Sequence, residues 1–164
     1  MSHFKKILVA LAFSEYAEGI FNYAAKLADG LDAELVVGSI INQRDVEAVE
    51  TISSMGYQVD GEHYVASIRE ERESQLEQIV QKSSFPADKI KIVIRVGNPL
   101  EELLKITVTE NVDMVVMGIK GRTDLEYMFT GSVAEKMFQR SPVPVVSYRD
   151  EKNAAQLRKR IKLK

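Results

Sequence analysis

Five short apolar runs that contain β-branched residues recur along the chain, separated by segments with helical periodicity. Runs of this length are typical of strands buried on both faces of a sheet. The predicted strands are Lys6–Leu11, Glu34–Ile41, Lys89–Val96, Val112–Met117 and Val143–Tyr148. Strands that alternate with helices indicate a single doubly wound α/β domain, in which helices cover both faces of a five-stranded parallel sheet. The crossovers between strands are expected to be right-handed.

The ends of the helices are predicted from small polar residues, glycines and prolines. A serine accepts a hydrogen bond from the first free amides of a helix, and glycine adopts the conformation that ends one. Proline is favoured in the first helical turn, where no amide hydrogen is needed. The predicted signals are Ser14 as N-cap and Asp29-Gly30 as the end of the first helix, breaks near Gly56 and Gly61 within a helical segment 43–82, Pro99 at the start of the next helix, and Gly131-Ser132 at the start of the last.

The composition fits one ordinary globular domain of 164 residues, with 45% hydrophobic and 28% charged positions. The absence of cysteine excludes disulfides, zinc ribbons, iron–sulfur clusters and cysteine nucleophiles. Two histidines, His3 and His63, cannot by themselves form a histidine-rich metal site. No apolar run is long enough to span a membrane and no leader pattern opens the sequence, so a soluble cytoplasmic protein is expected.

The charge is unevenly distributed between a domain at 1–150 and a basic tail at 151–164. Six basic residues and no acidic ones lie from 152 onward, which leaves 16 basic against 24 acidic residues, a net charge of −8, for the rest. An acidic domain repels phosphate polymers, so nucleic acid is not expected as a partner. A disordered tail is favoured over a short amphipathic segment that would bind an anionic membrane or nucleic acid.

The most unusual loop follows the fourth predicted strand. Ligands of doubly wound sheets bind beyond the carboxyl ends of the strands, where neighbouring crossovers diverge. Gly118 and Gly121 there allow backbone amides to approach a ligand closely, and Gly131-Ser132 present the positive end of the next helix. Such a cradle suits an anion, above all phosphate. The alternative is that these glycines serve only the turns of the chain, because the spacing matches neither a Walker loop nor a dinucleotide fingerprint.

The spacing Gly118-x2-Gly121-x9-Gly131-Ser132 resembles the nucleotide-binding pattern of the universal stress protein family in both spacing and position. The resemblance covers almost the whole chain in the same order. Its other segments are Lys6–Ala10, Tyr23–Ala28, Val96–Pro99, Val112–Gly118, Gly131–Lys136 and Ser141–Val146.

The resemblance implies a sheet of strand order 3-2-1-4-5 and an adenine nucleotide, ATP or AMP, in the crevice between the first and fourth strands. It also implies a homodimer formed through the last strand, Val143–Tyr148, which agrees with Pro144, because a residue without an amide hydrogen favours an edge strand. The implied ribose and phosphate ligands are Gly118, Gly121, Gly131 and Ser132, with Met117 and Val133 nearby and Ile40 against the adenine.

The chain departs from the family pattern at the end of the first strand. The family usually has Asp-Gly-Ser there, with an aspartate that binds the nucleoside, whereas this chain has Ala12-Phe13-Ser14. Ala12 accepts no side-chain hydrogen bond, so one hydrogen bond worth about 1–2 kcal/mol is missing. Phe13 stacks on the base, obstructs the pocket, or packs beneath the first helix.

Three hypotheses for the function follow. The first is a nucleotide-binding regulatory module in the stress response, acting on an unidentified protein partner. The second is a slow ATPase, in which Lys120 and Arg122 neutralise phosphate charge and Asp124 and Glu126 hold Mg²⁺ or water. The third is an interaction dimer whose base site is closed by Ala12 and Phe13. Solvated loop residues are the alternative interpretation of all four charged positions, and binding is favoured over turnover.

Overall fold

The computed structural model of this chain describes residues 4–119 and 132–163, the side chain of Ser132 excepted. Five strands form one all-parallel sheet in the order β3-β2-β1-β4-β5, as predicted. Each strand lies within about two residues of its predicted bounds. The strands are β1 (Lys6–Ala10), β2 (Glu34–Asn42), β3 (Ile90–Gly97), β4 (Met114–Gly118) and β5 (Val145–Tyr148).

Helices cover both faces of this sheet. Those described are α1 (Ala17–Leu31), α2 (Gln43–Ser54), α3 (Gly61–Lys82), α4 (Pro99–Thr109), α5 (Ser132–Arg140) and α6 (Glu151–Arg160), and a 3-10 turn lies at Ala87–Lys89. Helices α1 and α3 pack on one face, and α4 and α5 pack on the other. The three-layer arrangement predicted from the alternating pattern is therefore confirmed.

Alternate residues of the strands divide the hydrophobic core into two parts. Ile7, Val9 and Leu35 point toward the helices of one face and belong to the α1–α3 core. Leu8 and Val36 point the opposite way and belong to the α4–α5 core. All five side chains are at most 1% exposed, because a parallel sheet between two helix layers leaves neither face in water.

Side-chain caps begin most of the described helices. Asn42, Asp60, Asn98 and Asp150 each accept a hydrogen bond from an amide of the first turn of α2, α3, α4 and α6. The predicted start at Pro99 is confirmed, since it is the first residue of α4. The breaks predicted within 43–82 also occur, between the end of α2 at Ser54 and the start of α3 at Gly61.

Both predicted ends of α1 are wrong by one to three residues. Ser14 is not the N-cap: its hydroxyl accepts a hydrogen bond from the amide of Tyr16, and the helix begins at Ala17. Gly30 does not end the helix, which continues to Leu31 and stops at Asp32 in the left-handed conformation, with φ of 52°. Aspartate tolerates that conformation, so it closes the helix where a glycine was expected to do so.

The C-terminal tail is also not disordered as far as it is described, because Glu151–Arg160 form α6. Asp150 caps this helix by accepting a hydrogen bond from the amide of Asn153 at 2.8 Å. The strand before it, β5, lies at an edge of the sheet, as Pro144 predicted. Pro144 precedes the strand and uses its carbonyl to accept a hydrogen bond from the Val115 amide at 2.9 Å.

Candidate functional site

The topology places a crevice between the carboxyl ends of β1 and β4. These two strands are neighbours in the sheet, with Ala10 opposite Met117. The helix that follows β1 packs on one face and the helix that follows β4 packs on the other. The two helices thus lie on opposite faces beyond neighbouring strand ends, and it is at such points that ligands of doubly wound sheets bind.

Three of the predicted site residues lie on the same face of the sheet. Met117, on β4, belongs to the α4–α5 core, and Ile40 and Val133 are partly buried side chains packed against it. Ala10 of β1 lies between Met117 and Gly38 of β2 in the sheet, and neither Ala10 nor Gly38 carries a large side chain. The result is an apolar surface beside the start of α5, formed by residues from β2, β4 and α5.

Ala12 and Phe13 do not pack against the α4–α5 core with these three residues. Ala12 is exposed, and its carbonyl accepts a hydrogen bond from the amide of Ser14 at 2.8 Å. Phe13 packs against the α1–α3 core, on the face of the sheet opposite Ile40 and Met117. Of the three roles predicted for Phe13, packing beneath the first helix agrees best with this position, because the core that it contacts includes the buried residues of α1.

A buried arginine, which the sequence analysis did not identify, holds Phe13 in this position. Arg72, on α3, is only 8% exposed, and its guanidinium carbon lies 4.8 Å from the centre of the Phe13 ring. Its Nη1 donates a hydrogen bond of 3.1 Å to Oγ of Ser39, which is 1% exposed. Helical spacing could have predicted its burial, because Arg72 lies about one turn from both Ile68 and Leu76 on the core-facing stripe of α3.

The glycine-rich loop is described only at its two ends. Gly118 ends β4, and Ser132 is the first residue of α5, so the amino end of that helix lies on the side of the crevice that carries Val133. The remaining predicted ligands Gly121 and Gly131, and Arg122, which was predicted to neutralise phosphate charge, lie outside the described residues. The same holds for the charged positions Lys120, Asp124 and Glu126 of the ATPase hypothesis.

A second concavity, of about 230 Å³, lies beside Gly118 on the other side of the strand ends. One of its walls is α6, and the other is formed by Gly118, Ile119, Tyr148 and the start of α1. Sequence reasoning missed this pocket because it expected the tail to be disordered. The ring of Tyr148 at its base packs against that of Tyr23, with ring centres 5.5 Å apart.

The resolved pKa shifts belong to surface ion pairs and to none of the predicted site residues that the structure describes. The hydrogen bond and charge of Lys89 lower the pKa of Asp32, and those of Asp60 raise the pKa of His63. Within residues 4–119 and 132–163, no cluster of histidine and carboxylate side chains has the composition of a metal site. The helices in the same ranges include none with the length and apolar character to cross a bilayer.

Solved structures of known proteins share this architecture. Protein MJ0577 of Methanocaldococcus jannaschii superposes with a TM-score of 0.74 at 29% identity, over 90% of this chain and 98% of that one. A universal stress protein in complex with cAMP has a TM-score of 0.59 at 19% identity, over 90% and 99% of the two chains. One from Archaeoglobus fulgidus, in complex with dAMP, has a TM-score of 0.59 at 16% identity, over 91% and 100%.

The sequence comparisons also match this chain to universal stress proteins. The family model described as universal stress protein family matches residues 3–149. Universal stress protein YxiE of Bacillus subtilis is 30% identical over 150 residues, which covers 89% of this chain and 99% of the relative. Universal stress protein MJ0577 is 29% identical over 151 residues, covering 87% and 93%. The chain therefore belongs to the universal stress protein family.

Proposed function

We propose that this protein binds an adenine nucleotide in the crevice between β1 and β4 and acts as a dimeric regulatory module in the stress response. The observation that carries the proposal is the apolar surface of Ile40, Met117 and Val133 beside the amino end of α5. Two proteins of the same fold have been solved with cAMP and dAMP, so this scaffold accommodates adenine nucleotides elsewhere.

The two halves of such a ligand match the two parts of the crevice. An adenine ring gains from contact with the apolar side chains of Ile40 and Met117. A phosphate gains from the free amides and the positive dipole end of α5, which begins at Ser132. The predicted backbone contacts of Gly118, Gly121, Gly131 and Ser132 would join the two halves.

The missing carboxylate at Ala12 weakens the nucleoside half without closing it. Ala12 is exposed and offers no side-chain acceptor, so one hydrogen bond worth about 1–2 kcal/mol is absent. The packing of Phe13 on the opposite face speaks against the third hypothesis, in which this ring fills the base site. A weak but intact nucleotide site is what these positions support.

The proposed dimer uses β5, which ends the described sheet on one side. A parallel strand at an edge offers its outer amides and carbonyls to a second chain. The four side chains of β5 are partly buried within one chain, which leaves surface for a partner. Sedimentation velocity at micromolar concentration should give about twice the 18.5 kDa chain mass, and a monomer at every concentration would exclude the dimer.

Isothermal titration with ATP, AMP and cyclic AMP tests nucleotide binding directly. We expect binding of at least one of them, weakened by Ile40→Ala because the base then packs against less apolar surface. Ile52→Ala is the matched control, because Ile52 lies on α2 with 45% of its surface exposed. Absence of heat with all three ligands at millimolar concentration would refute the proposal. Phosphate release from ATP, measured in parallel, tests the slow ATPase.

A further inference from the structure

Helix α6 begins at Glu151, beyond the segment 3–149 that the family model matches. One stripe of this helix lines the pocket beside Gly118. The stripe consists of Asn153, Gln156, Leu157 and Arg160. The spacing of these residues places all four on the same face of an α-helix. The position of α6 against the strand ends is therefore a feature of this chain rather than of the matched family segment.

The orientation of α6 is set at its first turn. Asp150 follows β5 closely and accepts hydrogen bonds from both the backbone amide and the side-chain amide of Asn153. The carboxylate is thus occupied with the start of the helix. On the side away from the pocket, Arg158 pairs with Glu151 at 3.0 Å. These contacts fix which arginines of the helix face the pocket and which face solvent.

Among the described residues that line the pocket, two are arginines, Arg149 and Arg160, and one carries a carboxylate, the capping Asp150. A pair of guanidinium groups next to one engaged carboxylate favours an anionic ligand, and the planar fork of arginine suits phosphate oxygens in particular. Gly118 belongs both to this pocket and to the predicted ribose and phosphate cradle. A phosphate chain that reaches this pocket from the crevice would therefore pass the end of β4 at Gly118.

We propose that α6 forms part of the nucleotide site, with Arg149 and Arg160 binding the phosphate chain. This inference rests on the proposed function. It makes the site selective for the more highly phosphorylated nucleotide, because each added phosphate extends toward these two cations. It also offsets the hydrogen bond that Ala12 cannot make, and it links occupancy of the crevice to the position of a helix at the surface.

The first test compares Arg160→Gln with Arg158→Gln, which removes the same charge from the solvent-facing side of the same helix. We expect Arg160→Gln to weaken ATP binding about fivefold, AMP binding less and adenosine binding not at all, since an exposed ion pair is worth up to about 1 kcal/mol. Arg158→Gln should leave all three unchanged. Equal losses in both variants, or no loss in either, would overturn the inference and leave the proposed function standing.

The second test separates the phosphate contact from base binding. Tripolyphosphate, which has no base, should shift the backbone amide NMR signals of residues 149–160 in the full chain, and Arg160→Gln should reduce these shifts. Unchanged signals would overturn the inference even if ATP binds. If tripolyphosphate binds but no adenine nucleotide competes with it, the pocket is not the phosphate end of a nucleotide site and the inference fails, whereas the proposed function is decided by the calorimetric titrations.

Discussion

Replacement of Arg72 by methionine should destabilise the protein by about 2–3 kcal/mol. Methionine retains the packing of the long side chain on α3 but removes the guanidinium. The variant therefore has neither the cation over the Phe13 ring at 4.8 Å nor the hydrogen bond to Ser39 at 3.1 Å. The interaction of a desolvated cation with an aromatic ring is worth about 2 kcal/mol.

The hydrogen bond between Arg72 and Ser39 matters because its loss would leave the Ser39 hydroxyl buried without a partner. The Ser39 hydroxyl is 1% exposed, so water does not replace Arg72 as its partner. A buried hydroxyl without a partner costs about 1–3 kcal/mol. Part of this destabilisation is offset, because the folded variant no longer keeps a charged guanidinium out of water. The net of these three effects is a destabilisation of about 2–3 kcal/mol.

The same reasoning predicts that the two positions are coupled. Ser39→Ala alone should cost about 1 kcal/mol, because it leaves one hydrogen bond of Arg72 unmade. The double variant Arg72→Met/Ser39→Ala has no stranded hydroxyl and should be more stable than Arg72→Met by about 1 kcal/mol. Arg69→Met is the matched control, since Arg69 lies on the same helix and donates at 3.2 Å to the carbonyl of Ile94.

Urea unfolding followed by circular dichroism, together with the melting temperature, measures these differences. For a domain of this size, 2–3 kcal/mol corresponds to a decrease of about 5–10 °C in Tm. The reasoning is refuted if Arg72→Met unfolds within about 0.5 kcal/mol of the wild type. It is equally refuted if the destabilisations at Arg72 and Ser39 simply add.

Three further predictions concern other parts of the molecule. Gly30→Ala should stabilise the protein by about 0.5–1 kcal/mol in urea unfolding, because Gly30 lies in α1 with open space where a Cβ would be; a decrease in stability would contradict this. Ala12→Asp should strengthen AMP binding in calorimetry about fivefold or more, whereas Ala12→Asn, without the charge, should gain less; equal affinities would show that the carboxylate is not limiting. In an NMR titration His63 should have a pKa above 6.5 that falls in Asp60→Asn, because its Nδ1 lies 2.6 Å from the Asp60 carboxylate. Stability from this pair should be complete below pH 6.5 and decline as the pH rises through the folded pKa of His63; an unshifted pKa would refute it.

The sequence by itself determined the architecture of this protein. Apolar runs such as Lys6–Leu11 and Glu34–Ile41 can form little else than strands buried on both faces, and their alternation with helices dictates a parallel sheet. Helix starts with a local signal, such as Pro99 at α4, were also predictable. The end of α1 was not, because Asp32 and Gly30 are both able to end a helix and only the surrounding chain selects between them.

Only the tertiary structure decided which side chains share a face of the crevice. Ile40, Met117 and Val133 are far apart in sequence and share one face through the packing of β2, β4 and α5, whereas Phe13 packs on the other face. The burial of Arg72 and the position of α6 likewise depend on long-range contacts that local pattern does not encode. Local propensity fixes elements, but the sites between elements are set by how those elements pack.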